Sequence, residues 1–74
     1  MQFKVKLFAY FRDNRFKEKL SDYPKGTTVA DVVAALGINL DEVGILMINS
    51  RHCDPAQELQ EGDQLAIFPL VGGG

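Results

Sequence analysis

Only one stretch of this chain carries a helical stripe; the apolar residues elsewhere alternate or cluster between turns. Val29, Val32, Val33 and Leu36 recur at the spacing that lines up apolar side chains on one side of a helix. Thr28 precedes them as an N-cap. Asp31 follows three residues on, a short variant of the capping box, and Gly37 stands where a left-handed C-cap belongs. The pattern predicts one helix at about 28–36. One helix cannot cover two sheet faces. The strands must therefore form a single sheet with one face on the helix and the other in water.

The strands are read from period two. In residues 2–9, Phe3, Val5 and Leu7 fall on one face and Lys4, Lys6 and Phe8 on the other. Tyr10 to Arg15 reads as a loop. Residues 16–20 alternate again, with Phe16 and Leu20 expected toward the core and Lys17 and Lys19 toward water. These two segments predict an antiparallel hairpin. Pro24-Lys25-Gly26 is a turn into the helix, and Asn39 to Gly44 is a loop or short turn. Ile45-Leu46-Met47-Ile48, bounded by Gly44 and Asn49-Ser50, reads as a buried strand. His52-Cys53 extends into a short strand that Asp54-Pro55 breaks, and Leu59 is expected back in the core. After the Glu61-Gly62-Asp63 turn, residues 64–68 form the last strand, with Leu65 and Ile67 on one face and Ala66 and Phe68 on the other. The order is β-β-α-β-β-β, an α+β fold with a mixed sheet, in which the first and last strands are expected as parallel neighbours at the centre.

Such a sheet leaves an informative open face. Lys4, Lys6, Lys17 and Lys19 are expected there, together with Phe8 and Phe68 on adjacent strands. One exposed phenylalanine is ordinary. A pair of them, rimmed by charge, marks a docking patch.

From the end of that last strand the sequence runs Phe68-Pro69-Leu70-Val71-Gly72-Gly73-Gly74. Glycines offer nothing to a core and lose the most freedom when ordered. They make sense if the Gly74 carboxylate must enter a channel too narrow for a Cβ. The division expected is a globular domain at 1–69 and a flexible tail at 70–74. Five residues beyond Pro69 reach at most about 17 Å, enough to enter a partner's cleft.

Composition limits the alternatives. At 74 residues the chain buries only about 60% of its unfolded surface, which leaves little room for an enclosed active site. A single cysteine excludes an internal disulfide and thiolate-held clusters. The first residues lack the apolar run of a signal peptide or membrane span, so a cytoplasmic protein away from membranes is expected. Residues 1–25 hold seven of the eight Lys/Arg and three of the ten Asp/Glu, net +4, while the remainder is net −6. This split suits a protein partner better than nucleic acid. Cys53 reads as a small apolar filler. His52 lacks a paired acid or nucleophile. Asp41-Glu42 and Glu61/Asp63 read as solvated turns, with no metal or bound cofactor expected.

Four motifs then occur in order along the chain. Leu7-Phe8-Ala9-Tyr10-Phe11-Arg12-Asp13 resembles the F-A-x-x-R-[ED] stretch of the small subunit of molybdopterin synthase. Asn49-Ser50-Arg51 resembles that family's V-N turn, and Glu61-Gly62-Asp63-Gln64-Leu65 its x-G-D-x-[VL] turn. The segment from Phe68 to Gly74 resembles its F-P-P-V-x-G-G ending. Leu70 stands in place of the second proline, and position 52, where an apolar residue would extend the docking patch, is histidine.

The resemblance implies a ubiquitin-like β-grasp fold and a sulfur carrier that is not catalytic by itself. A terminal carboxylate, with a pKa of roughly 3.3–3.7, is ionised and a poor electrophile. The family's chemistry implies an E1-like adenylating enzyme that uses ATP to form an acyl-adenylate on Gly74. A persulfide sulfur donor acts next, and then a large molybdopterin synthase-type subunit that receives sulfur from the Gly74 thiocarboxylate. Gly73 would permit close approach. Phe8, Phe68, Pro69, Leu70, Val71, Gly72 and Arg12 would meet the partners. A tungsten-pterin pathway would look the same from this chain. The alternatives are the carrier for thiamin thiazole synthesis, a ubiquitin-like modifier of lysines, and a plain protein- or RNA-binding β-grasp module.

Overall fold

The computed structural model describes residues 1–70. The expected roles of Val71, Gly72, Gly73 and Gly74 lie outside the described residues.

Strand β1 spans Gln2–Leu7, β2 Glu18–Asp22, helix α1 Val29–Ala35, β3 Val43–Ile48, β4 Arg51–His52 and β5 Gln64–Pro69. The five strands form one sheet in the order β2-β1-β5-β3-β4. β1 and β5 run parallel in its middle, and every other pairing is antiparallel. This is the ubiquitin-like β-grasp fold.

The helix forms where its caps are. Thr28 Oγ accepts a hydrogen bond from the Asp31 N–H at 3.2 Å, and the Asp31 carboxylate accepts from the Thr28 N–H at 3.0 Å. Its other leading donors bond to the loop before Leu59: the Val29 N–H to the Gln57 carbonyl and the Ala30 N–H to the Pro55 carbonyl. At the far end Gly37, at φ +74°, lets its own N–H reach the Ala34 carbonyl and that of Ile38 reach Val33. This double bond pattern is the Schellman stop. Arg15 adds a hydrogen bond from Nε to the Leu36 carbonyl, tying the first hairpin loop to the helix end.

The core lies between α1 and one sheet face. Phe3, Val5 and Leu7 of β1 and Leu65 and Ile67 of β5 meet Val29, Val32 and Val33, all fully buried. Leu59 is buried too, as expected. Each such side chain contributes about 1.5–3 kcal/mol through removal from water.

Three local readings are corrected. Leu20 is 62% exposed and not a core residue. Its register partner is Lys4, which puts it on the open face, while Lys19 pairs with Val5 on the opposite face. The reason is where the strand begins. Phe16 lies before β2 and packs half-buried against the core from the loop, so its parity does not carry into the strand. Second, the Ile45–Ile48 run is not a buried strand. Only Leu46 is buried, and Ile45 is 41% exposed, because β3 alternates across a sheet covered on one side. Gly44 lies within this strand rather than bounding it. Third, the stretch read as a loop from Tyr10 contains a 3₁₀ turn, Ala9–Arg12, that drives Phe11 into the core.

Candidate carrier site and docking face

On the open face the registers place side chains in rows. One row runs Glu18, Lys6, Ala66, Met47 and His52 across all five strands. A second, at the end where the chain leaves β5, consists of Phe8, Phe68 and Ile45. The Phe8 and Phe68 rings stack at 4.1 Å between centroids, inclined by 12°. Their contact follows from the parallel register of Leu7 with Ile67. Lys6, Phe8, Met47, Ser50, Gln64, Ala66 and Phe68 line a hollow of about 190 Å³ between the rows. Glu18 sits 3.5 Å from the Lys4 ammonium and 3.9 Å from that of Lys6. The face is thus apolar toward the chain exit and charged toward the β2 edge.

Arg12 belongs to this end. Its Nε donates to the Leu7 carbonyl at 2.6 Å, and its guanidinium lies 5.2 Å from the Phe8 ring centroid. It fixes the first loop and backs the aromatic pair at once. Pro69 is buried, so it shapes the exit rather than offering surface. Leu70 is 55% exposed, and its N–H donates to the Glu42 carbonyl at 2.8 Å. Tyr10 Oη reaches the Glu42 carboxylate at 3.4 Å; partial desolvation and that carboxylate raise the phenol above its usual pKa. Phe8, Phe68, Arg12, Pro69 and Leu70 therefore gather at one end of the sheet.

Ile45 and Met47 extend the patch beyond the residues expected there. Alternation in the sequence puts the two on one face of β3, but the register across the sheet is what sets them beside Phe68 and Ala66. His52 pairs with Met47 on the same face and is exposed. Cys53 is half-buried; desolvation and then Asp54 raise its thiol, which disfavours the thiolate.

The remaining motif residues hold the fold. Asn49 and Ser50 both have positive φ, 52° and 68°, as a type I′ hairpin turn requires. The Asn49 side chain accepts from the Gln64 N–H and donates to Asp63, and Asp63 also accepts from the Gln60 N–H. The two turns are thereby stitched across the start of β5. Among the described residues no group of three or more His, Cys, Asp or Glu is arranged to hold a metal ion, and no helix is long and apolar enough to cross a membrane.

Fold and open face together define a small ubiquitin-like β-grasp protein. The ThiS family profile matches residues 5–74, and the chain belongs to that family. It is thus of the sulfur-carrier or ubiquitin-like-modifier kind. No curated protein matches its sequence. Solved structures do. A Haloferax volcanii protein, HVO 2177, is 27% identical with a TM-score of 0.80, over 100% of this chain and 87% of that one. A Pyrococcus furiosus protein described as a putative molybdopterin converting factor, subunit 1, is 26% identical with a TM-score of 0.78, covering 96% and 99%. SAMP1 from Haloferax volcanii shares the fold at 24% identity and a TM-score of 0.77, covering 100% of each chain.

Proposed function

We propose that this protein is a sulfur carrier for molybdopterin-type cofactor synthesis, with the Gly74 carboxylate as the group that carries sulfur. The observation that carries the reading is the Phe8–Phe68 stack on the open face, separated only by the buried Pro69 from Leu70, where the glycine-ending segment begins. A partner docked on that face has the segment within reach of its cleft. ThiS family membership supports the carrier role, and likeness to the Pyrococcus protein supports the molybdopterin branch.

In this reading an E1-like adenylating enzyme binds the aromatic row. A Gly74 carboxylate oxygen attacks the α-phosphorus of ATP, and pyrophosphate leaves. The terminal sulfur of a persulfide attacks the acyl-adenylate carbonyl, and AMP leaves. A thiol then cleaves the resulting acyl disulfide, and the thiocarboxylate remains on Gly74. A large synthase subunit takes the sulfur onward. No step needs Cys53, whose thiol is half-buried and held toward its protonated form. Gly73 and Gly74 admit close approach of the partner's backbone.

A second reading, attachment to lysines of other proteins, draws on the shared fold with SAMP1. It uses the same activated Gly74 and differs in the acceptor. Intact mass of the protein purified from its host without thiols separates the two. An increase matching one oxygen replaced by sulfur, on the peptide ending at Gly74, is expected; lysine-linked conjugates without it favour the modifier. Gly74→Ala should fold as the wild type and form no adenylate with ATP and the host's adenylating enzyme. Adenylation of that variant at the wild-type rate would rule out the narrow-channel argument.

A further inference from the structure

The point where the chain leaves the sheet is built more tightly than an ordinary strand end. In the β3–β5 ladder Val43 pairs with Pro69 and Ile45 with Phe68, so Gly44 is an extra residue in a bulge at the last rung. Bulges bend a strand and re-aim the chain beyond them. Gly44 does not occupy the left-handed region, so torsion does not demand glycine there. Space does. A Cβ on Gly44 would lie 2.9 Å from the Pro69 carbonyl oxygen, 3.0 Å from Leu70 Cα and 3.1 Å from Leu70 N. All three are backbone atoms, so no rotamer change relieves the clash.

The same two residues are held from other sides. The Leu70 N–H is bonded to the Glu42 carbonyl at 2.8 Å, and the Glu42 N–H is itself bonded to the Asn39 carbonyl at 2.9 Å. Pro69 is buried, and its ring fixes its own φ. Leu70 is thus pinned by backbone alone, while its side chain stays mostly exposed.

We propose that Gly44 is a positioning residue: with the Leu70–Glu42 hydrogen bond it forms a backbone clamp that sets where, and in which direction, the segment ending at Gly74 starts out. This rests on the carrier reading above. From Leu70 to Gly74 four residues span at most about 14 Å, so a displaced or misdirected starting point takes away part of the short reach on which the Gly74 carboxylate depends. The open face supplies affinity, and the clamp supplies alignment.

The test compares wild type with Gly44→Ala in adenylation by the host's E1-like enzyme, read as ATP–pyrophosphate exchange. An Ala Cβ must push Pro69–Leu70 away, so kcat should fall roughly 10- to 100-fold, as for a misplacement of about 1 Å. KM should stay within about twofold, because the Phe8–Phe68 row is unchanged, and that split distinguishes misalignment from simple destabilisation. A folded Gly44→Ala protein with wild-type kcat would overturn the clamp. So would equal losses traceable to KM alone. If wild type itself is not adenylated, the carrier reading fails first and the clamp with it. One measurement needs no variant. By hydrogen exchange on the wild-type protein the Leu70 amide should be protected at least roughly tenfold over an unstructured amide, reporting the bond to Glu42. Exchange at the unstructured rate would overturn the proposal even if Gly44→Ala does not fold.

Discussion

Phe68 separates docking from stability at the scale of a single residue. It alternates with the buried Ile67 and Pro69, so its ring lies on the open face, half-buried and stacked on Phe8 beside Ile45. Phe68→Ala forfeits an aromatic pairing of about 0.5–1.5 kcal/mol and little of the core. Affinity for the adenylating enzyme should fall further, by about 2 kcal/mol or roughly 30-fold, as for a central aromatic anchor. Melting temperature and partner affinity measured on one preparation check this. A large drop in melting temperature with unchanged affinity would make Phe68 a packing residue only. Arg12 shows why single residues mislead when read from sequence. Its place in the first loop suits a partner contact or a brace, and the structure shows a brace that also backs the aromatic pair through Phe8. The backbone acceptor that decides this, the Leu7 carbonyl, has no sequence signature.

Elements are most legible where a cap announces them. Thr28, Asp31 and Gly37 predict a helix at 28–36, and α1 runs Val29–Ala35 with the capping box formed. Thr28→Ala would leave the Asp31 N–H without its partner and should cost about 1 kcal/mol. For a domain of this size that lowers the melting temperature by roughly 4–8 °C. Thr28→Ser should recover most of the loss in a thermal melt; failure to do so would point to the threonine methyl rather than the cap. β2 is the least legible element. Alternation assigns relative sides only if the strand's first residue is known, and β2 begins two residues beyond Phe16. Leu20 and Lys19 consequently exchange faces between pattern and structure. β3 departs from its pattern for a related reason. A continuous apolar run fits a strand buried on both faces, but here one of the faces is open to solvent.

Taken as a whole molecule, the described residues form a hydrophobic core whose last member along the chain is Ile67, with α1 closing one side of the sheet. Deleting Gly73 and Gly74 should therefore leave the melting temperature unchanged while abolishing adenylation. A plain β-grasp binding module would keep its partner affinity after the same deletion. A lowered melting temperature in the truncated protein would mean that the glycines contribute to the fold after all. Ile67, the last core residue along the chain, and the reactive group proposed at Gly74 are seven residues apart, so fold and chemistry can be tested separately.

Residue order and chemistry alone determined the β-β-α-β-β-β sequence of elements, the single sheet on one helix, the central parallel pair and the adjacency of Phe8 and Phe68. The elements and the single sheet follow from local periodicity, caps and the lone helix's inability to cover two faces. The parallel central pair, and with it Phe8 beside Phe68, is the arrangement expected of that order, and the register bears it out. Only the tertiary structure decided the parity of β2, the widening of the exposed apolar patch by Ile45 and Met47, and the meeting of Gly44 with Pro69 and Leu70. These depend on strand register and on backbone approaching backbone across the sheet. Neither is carried by side-chain pattern, because a bulge changes which residues face each other without changing the order in which they occur.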